Sequence, residues 1–73
     1  GAIADYSRLI KLDPEYVRAW INRGAARQDK GDFDGAIRDW ERLLTLAPND
    51  PQAPAIRAEI KKMRAHLEKQ KEK

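Results

Sequence analysis

An internal repeat with a period of 34 residues limits what this chain can become. The opening segment GAIADYSRLIKLDPEY realigns on GAIRDWERLLTLAPND, with Gly1/Gly35, Ala2/Ala36, Ile3/Ile37, Asp5/Asp39, Arg8/Arg42, Leu9/Leu43, Leu12/Leu46 and Pro14/Pro48 identical. Eight of sixteen positions match, and Tyr6/Trp40 keeps an aromatic ring. A unit that recurs at such a period is one supersecondary element unable to bury its apolar face alone, so successive units stack and cover one another.

Both copies place apolar residues at helical spacing: Ala2, Ile3, Tyr6, Leu9 and Ile10, then Ala36, Ile37, Trp40, Leu43 and Leu44. The i, i+1, i+4, i+7, i+8 pattern gives a broad stripe on one helix face. Val17, Trp20, Ile21, Gly24 and Ala25 form a third helical stripe, and Ile56, Ile60, Met63 and Leu67 a fourth. Gly31-Asp32 reads as a stop and a restart, Gly for a left-handed C-terminal turn and Asp as the next N-cap. Asp13-Pro14 and Asp50-Pro51 are similar breaks, and Pro54 leaves the start of the last helix open between residues 51 and 55. The expectation is an all-α chain of about four helices, near 1–12, 16–30, 33–46 and 53–70, fraying beyond Leu67. Short linkers make neighbouring helices antiparallel. Gly24, unfavourable inside a helix, is expected to let Trp40 or Tyr6 lie against the backbone.

Composition removes most chemistry. The chain has 73 residues, no Cys, and a single Ser (Ser7), Thr (Thr45) and His (His66). Disulfides, thiolate metal sites, His-based metal sites and catalytic triads are therefore not expected. Asp29-Lys-Gly-Asp32-Phe-Asp34-Gly35 looks superficially like a calcium loop, but the twelfth residue counted from Asp29 is Trp40, not a bidentate Glu. His66 reads as a solvated helical residue. No enzyme, no catalytic residue and no cofactor is expected. Nor is a membrane partner, since no apolar run approaches the roughly 20 residues that span a bilayer. With no secretory signal and no Cys, the cytoplasm is the favoured compartment. The net charge of +3 is uneven: residues 1–60 hold nine Lys/Arg against ten Asp/Glu, and residues 61–73 hold six against two. Glu68 and Glu72 interrupt that basic run, and no aromatic follows Trp40, so a nucleic-acid surface is not expected.

Trp20, Gly24, Gly31-Asp32, Phe33, Ala36, Trp40 and Pro48 fall at the spacing of a tetratricopeptide repeat, and the chain resembles that family. By this resemblance residues 1–73 form one domain. Residues 1–16 are the second half of a repeat, 17–50 a full repeat, and 51–73 a C-terminal capping helix with a basic tail. The resemblance implies a fragment of a right-handed α-solenoid built from antiparallel helical hairpins, acting as a protein–protein interaction module. Its concave surface is expected to present Arg18, Ile21, Asn22, Ala25, Gln28 and Asp29 to a peptide or helix of unknown identity. Asn22 stands where chaperone-binding members hold a peptide carboxylate, although the Lys and Arg partners of that clamp are missing. The alternative is a self-associating fragment with a structural role.

Three further expectations concern packing. Arg23 and Arg27, where the family usually has Leu and Tyr, lay their stems on the core, and Arg23 pairs with Asp5 or Asp39. Ile56, Ile60 and Met63 cover Leu43 and Leu44. With only one neighbour for the first helix, Ile3, Ile10 and part of Tyr6 face water and draw two copies into a homodimer.

Overall fold

The computed structural model describes residues 1–71, so Glu72 and Lys73 of the basic tail lie outside the described residues. Four helices follow one another: α1 (Ala2–Leu12), α2 (Val17–Asp29), α3 (Phe33–Leu46) and α4 (Ala53–Lys71). The order and bounds agree with the spacing of the apolar stripes. α4 does not stop where its stripe stops, and remains helical from Leu67 to Lys71.

The turns follow from local chemistry. α2 ends in a Schellman arrangement: Gly31 N–H bonds the Gln28 carbonyl at 2.9 Å, and Asp32 N–H bonds the Arg27 carbonyl at 2.8 Å. Gly31 takes φ +83°, the left-handed region that glycine enters without a Cβ clash. Asp32 then caps α3, its Oδ1 accepting Gly35 N–H at 3.0 Å. Pro54 sits in the first turn of α4, where its missing N–H would have had no helical partner anyway.

The turns after α1 and α3 are built alike. Asp13 N–H bonds Leu9 O at 2.9 Å, Tyr16 N–H bonds Asp13 O at 3.0 Å, and Ala19 N–H bonds Tyr16 O at 3.1 Å. Thirty-four residues on, Ala47, Asp50 and Ala53 donate to Leu43, Ala47 and Asp50 at 2.8, 3.1 and 2.9 Å. The repeat visible in the sequence is thus a repeat in the backbone, and it carries as far as the start of α4.

The core forms where α3 is sandwiched between α2 and α4. Ala36, Ile37, Trp40 and Leu43 of α3 are buried with Ile56, Ile60 and Met63 of α4, and Val17, Trp20, Ile21, Ala25, Leu44 and Leu67 pack around them. The last helix therefore covers the α3 edge, as its stripe implied. Removing apolar surface from water gains about 25 cal/mol per Å², which makes this burial the main stabilising contribution.

Gly24 answers to Trp40 rather than Tyr6. A Cβ at Gly24 would overlap the indole, with Trp40 Cε2 at 2.9 Å and two other ring atoms closer. The indole Nε1 donates to the Ile21 carbonyl at 3.1 Å, so the ring is both seated and pinned. Trp20, also expected in the core, is only half-buried. Its Nε1 reaches the Pro14 carbonyl at 2.8 Å, closing the turn before α2.

One packing expectation is corrected. Ile10, read as facing water, is buried at 9% exposure, while Ile3 and Tyr6 are half-buried. The exposed large apolar residues of α1 are instead Leu9 at 40% and Leu12 at 79%. The reason is helical phase. Successive side chains are about 100° apart, so Ile3, Ser7 and Ile10 share one side and Ala2, Asp5, Leu9 and Leu12 another. α2 lies against the first side, and the broad stripe divides between a covered and an uncovered half.

Candidate functional site

The residues expected on the concave face all lie on α2, but the structure separates them. Arg18, Ile21 and Asn22 line an open groove of about 610 Å³ together with Tyr16, Val17, Asp50 and Gln52. Val17 and Ile21 are half-buried and supply the apolar part of the groove's lining. Asn22 and Gln52 contribute amides that can both donate and accept, and Arg18 and Asp50 add one charge of each sign. Ala25 packs inward on the core. Gln28 points to α4, donating from Nε2 to Glu59 Oε2 at 2.9 Å, beside a shallow depression that also contains Phe33, Lys62, Met63 and His66. Asp29 is exposed at the C-terminal end of α2 and lines neither groove.

Four groove residues were not among the expected ones. Tyr16 and Val17 come from the start of α2, and Asp50 and Gln52 from the α3–α4 turn. The signal was present in Pro14 and Pro48, which the repeat places at corresponding positions in the turns after α1 and α3. Helical stripes alone could not say that the second turn folds next to the start of α2. The turn is fixed locally: Asp50 Oδ1 accepts Gln52 N–H at 2.8 Å.

Behind the groove a charge network ties three helices together. Arg23 grips Asp39 with two parallel bonds, Nε to Oδ2 at 2.9 Å and Nη2 to Oδ1 at 2.7 Å. Its Nη1 donates to Ser7 Oγ on α1 at 3.0 Å. Arg27 Nη1 adds a second cation at 3.2 Å from Asp39 Oδ2. Asp39 is 2% exposed, so the carboxylate is desolvated and the bidentate geometry replaces its water. The guanidinium carbon of Arg23 also lies over the Trp20 ring, 5.1 Å from its centroid. Of the two candidate acids Arg23 selects Asp39, because α3 packs on the α2 face carrying Arg23, Gly24 and Arg27. Asp5, the repeat-mate, is exposed and among the described residues pairs only with Arg8, at 3.6 Å.

The remaining candidates carry no assembled chemistry. Among the described residues no three His, Asp or Glu side chains converge as a metal site. His66 is exposed and its ring meets Phe33 edge-on, with centroids 5.2 Å apart. Among the described residues no helix is long and apolar enough to cross a membrane.

Antiparallel helices joined through the same turn at a fixed period define a helical-hairpin repeat protein. The tetratricopeptide repeat profile matches residues 1–61, and the chain belongs to that family. It is 36% identical to serine/threonine-protein phosphatase 5 of Rattus norvegicus over 52 residues, covering 71% of this chain but 10% of the phosphatase. It is 33% identical to the chloroplastic tetratricopeptide repeat domain-containing protein PYG7 of Arabidopsis thaliana over 63 residues, 81% of this chain and 21% of that protein. Protein O-mannosyl-transferase TMTC1 of Mus musculus is 28% identical over 72 residues, 99% of this chain and 8% of the transferase. The chain thus spans about a tenth to a fifth of these relatives' length, and the likeness covers repeats, not the activities in their names. No solved structure matches.

Proposed function

We propose that this chain is a non-catalytic protein-interaction module, a scaffold surface that docks an extended peptide or a helix from a partner. The observation that supports it most is the groove at the start of α2, lined by apolar Val17 and Ile21 together with the amides of Asn22 and Gln52. Side-chain amides suit a peptide backbone because each offers donors and an acceptor to one peptide group. Arg18 and Asp50 at the rim set orientation by charge. The test is a peptide library screened against the isotope-labelled protein. Binding should perturb amides at residues 16–22 and 50–52, and Ile21→Glu and Asn22→Ala should each weaken it by about tenfold. Perturbation confined elsewhere, or unchanged affinity in both variants, would refute the reading.

A second reading, self-association in a structural role, is favoured by a different observation. Leu9 and Leu12 are exposed on α1 next to half-buried Ile3 and Tyr6. A second copy laid on such a stripe would take it out of water.

A further inference from the structure

The groove at the start of α2 is built from two corresponding segments of the repeat. Tyr16 and Asp50 stand at equivalent places 34 residues apart, as do Arg18 and Gln52, and all four line it. The backbone of the two turns is the same, with Tyr16 N–H and Asp50 N–H donating to the carbonyls of Asp13 and Ala47 at 3.0 and 3.1 Å. The side chains are not. The α2 segment brings an aromatic ring and a cation, and the α3–α4 turn brings an acid and an amide. Both segments are interior to the chain, with described helices on either side.

Neither charge is matched inside the protein. On another side of α2, Arg23 and Arg27 converge on Asp39. Among the described residues neither Arg18 nor Asp50 takes part in an ion pair, with each other or with any other side chain. Asp50 is half-buried, and its Oδ1 accepts Gln52 N–H at 2.8 Å. That bond holds the carboxylate against its own turn, and among the described residues Oδ2 has no hydrogen-bond partner. Tyr16, 42% exposed, adds a ring to the same groove, and an aromatic face attracts cations. Arg18 is exposed in the first turn of α2.

An occupant with one sign of charge is attracted by one of these groups and repelled by the other, so the two effects offset. An occupant with both signs is attracted by both. We infer that the groove takes an extended peptide of dipolar character. A Lys or Arg of the peptide meets Asp50 and Tyr16, an Asp or Glu meets Arg18, and an apolar residue between them contacts Val17 and Ile21. The amides of Asn22 and Gln52 are left to meet its backbone. This rests on the docking reading and specifies the chemistry of its occupant.

Peptide sets that differ at two positions test it, each with an apolar residue between those positions and with their spacing varied. One set carries Lys and Glu, a second Lys twice, a third Glu twice and a fourth Gln twice. At low salt the best Lys–Glu peptide should bind about fivefold or more tighter than the best of every other set, since each exposed ion pair contributes roughly two- to fivefold. High salt should remove the advantage. Asp50→Asn keeps the oxygen that accepts Gln52 N–H and removes only the charge. It should weaken the Lys–Glu peptide by roughly two- to fivefold, and the loss should vanish when the peptide's Lys is Gln. Arg18→Gln should behave likewise towards the peptide's Glu, and circular dichroism checks that both variants stay helical. If no peptide perturbs amides at residues 16–22 and 50–52, the docking reading fails and this inference with it. If peptides bind there but the Gln or the Glu–Glu set matches the Lys–Glu set, docking stands and the dipolar occupant is refuted. A loss in Asp50→Asn that persists against the peptide without Lys also refutes it, because the substitution has then acted on the turn and not on a bound cation.

Discussion

Replacing Gly24 by Ala sets two effects of opposite sign against each other. In an exposed helix interior the change would stabilise by about 1 kcal/mol, because Ala loses less backbone freedom on folding. Here the new methyl would occupy space held by the Trp40 indole, whose Cε2 stands 2.9 Å from the Cβ position with Nε1 and Cδ1 closer still. The obstacle is a rigid ring packed on all sides and not the free end of a flexible chain. Moving it overpacks a core between helices, at about 1–3 kcal/mol. It also pulls Nε1 off the Ile21 carbonyl, at roughly 0.5–1.5 kcal/mol more. The net expectation is destabilisation of about 0.5–3.5 kcal/mol. Urea unfolding followed by circular dichroism reads this directly, and with a slope of about 1–2 kcal/mol/M the midpoint should fall by roughly 0.25–3.5 M. Adding Trp40→Leu to Gly24→Ala should lose less than the sum of the single changes, since the two share one space. A midpoint equal to or above the wild type would show that propensity wins, and the seated-ring account would be wrong.

The repeat supplies an internal control for electrostatics. Asp39→Ala leaves Arg23 and Arg27 facing each other in a largely buried site and should cost about 2–4 kcal/mol, whereas Asp5→Ala at the exposed mate should change stability by less than about 0.5 kcal/mol; equal effects in denaturant would contradict the burial difference. Deleting residues 52–73 should expose Ile37, Trp40 and Leu43 on one side of α3 and abolish cooperative unfolding, so a soluble fragment 1–51 with a sharp transition would refute the covering role of α4.

The sequence determined the helices, their number and the turns, because those rest on local physics. The apolar period of α1 and α3 and the Gly31-Asp32 stop and restart act within a few residues of themselves. The sequence also paired Arg23 with an acid, but it offered Asp5 and Asp39 as equals, since their local contexts match. Only the tertiary structure broke the tie: α3 packs on α2 and buries Asp39, while Asp5 on α1 is exposed. The same asymmetry sorted Ile10 into the interior and Leu9 into water, a choice of about 100° in helix phase that a broad stripe does not make. It also divided the residues of α2, sending Gln28 to Glu59 and leaving Arg18, Ile21 and Asn22 in a groove completed by a turn some thirty residues away. Identical segments met different neighbours, and burial, unlike periodicity, belongs to the neighbours.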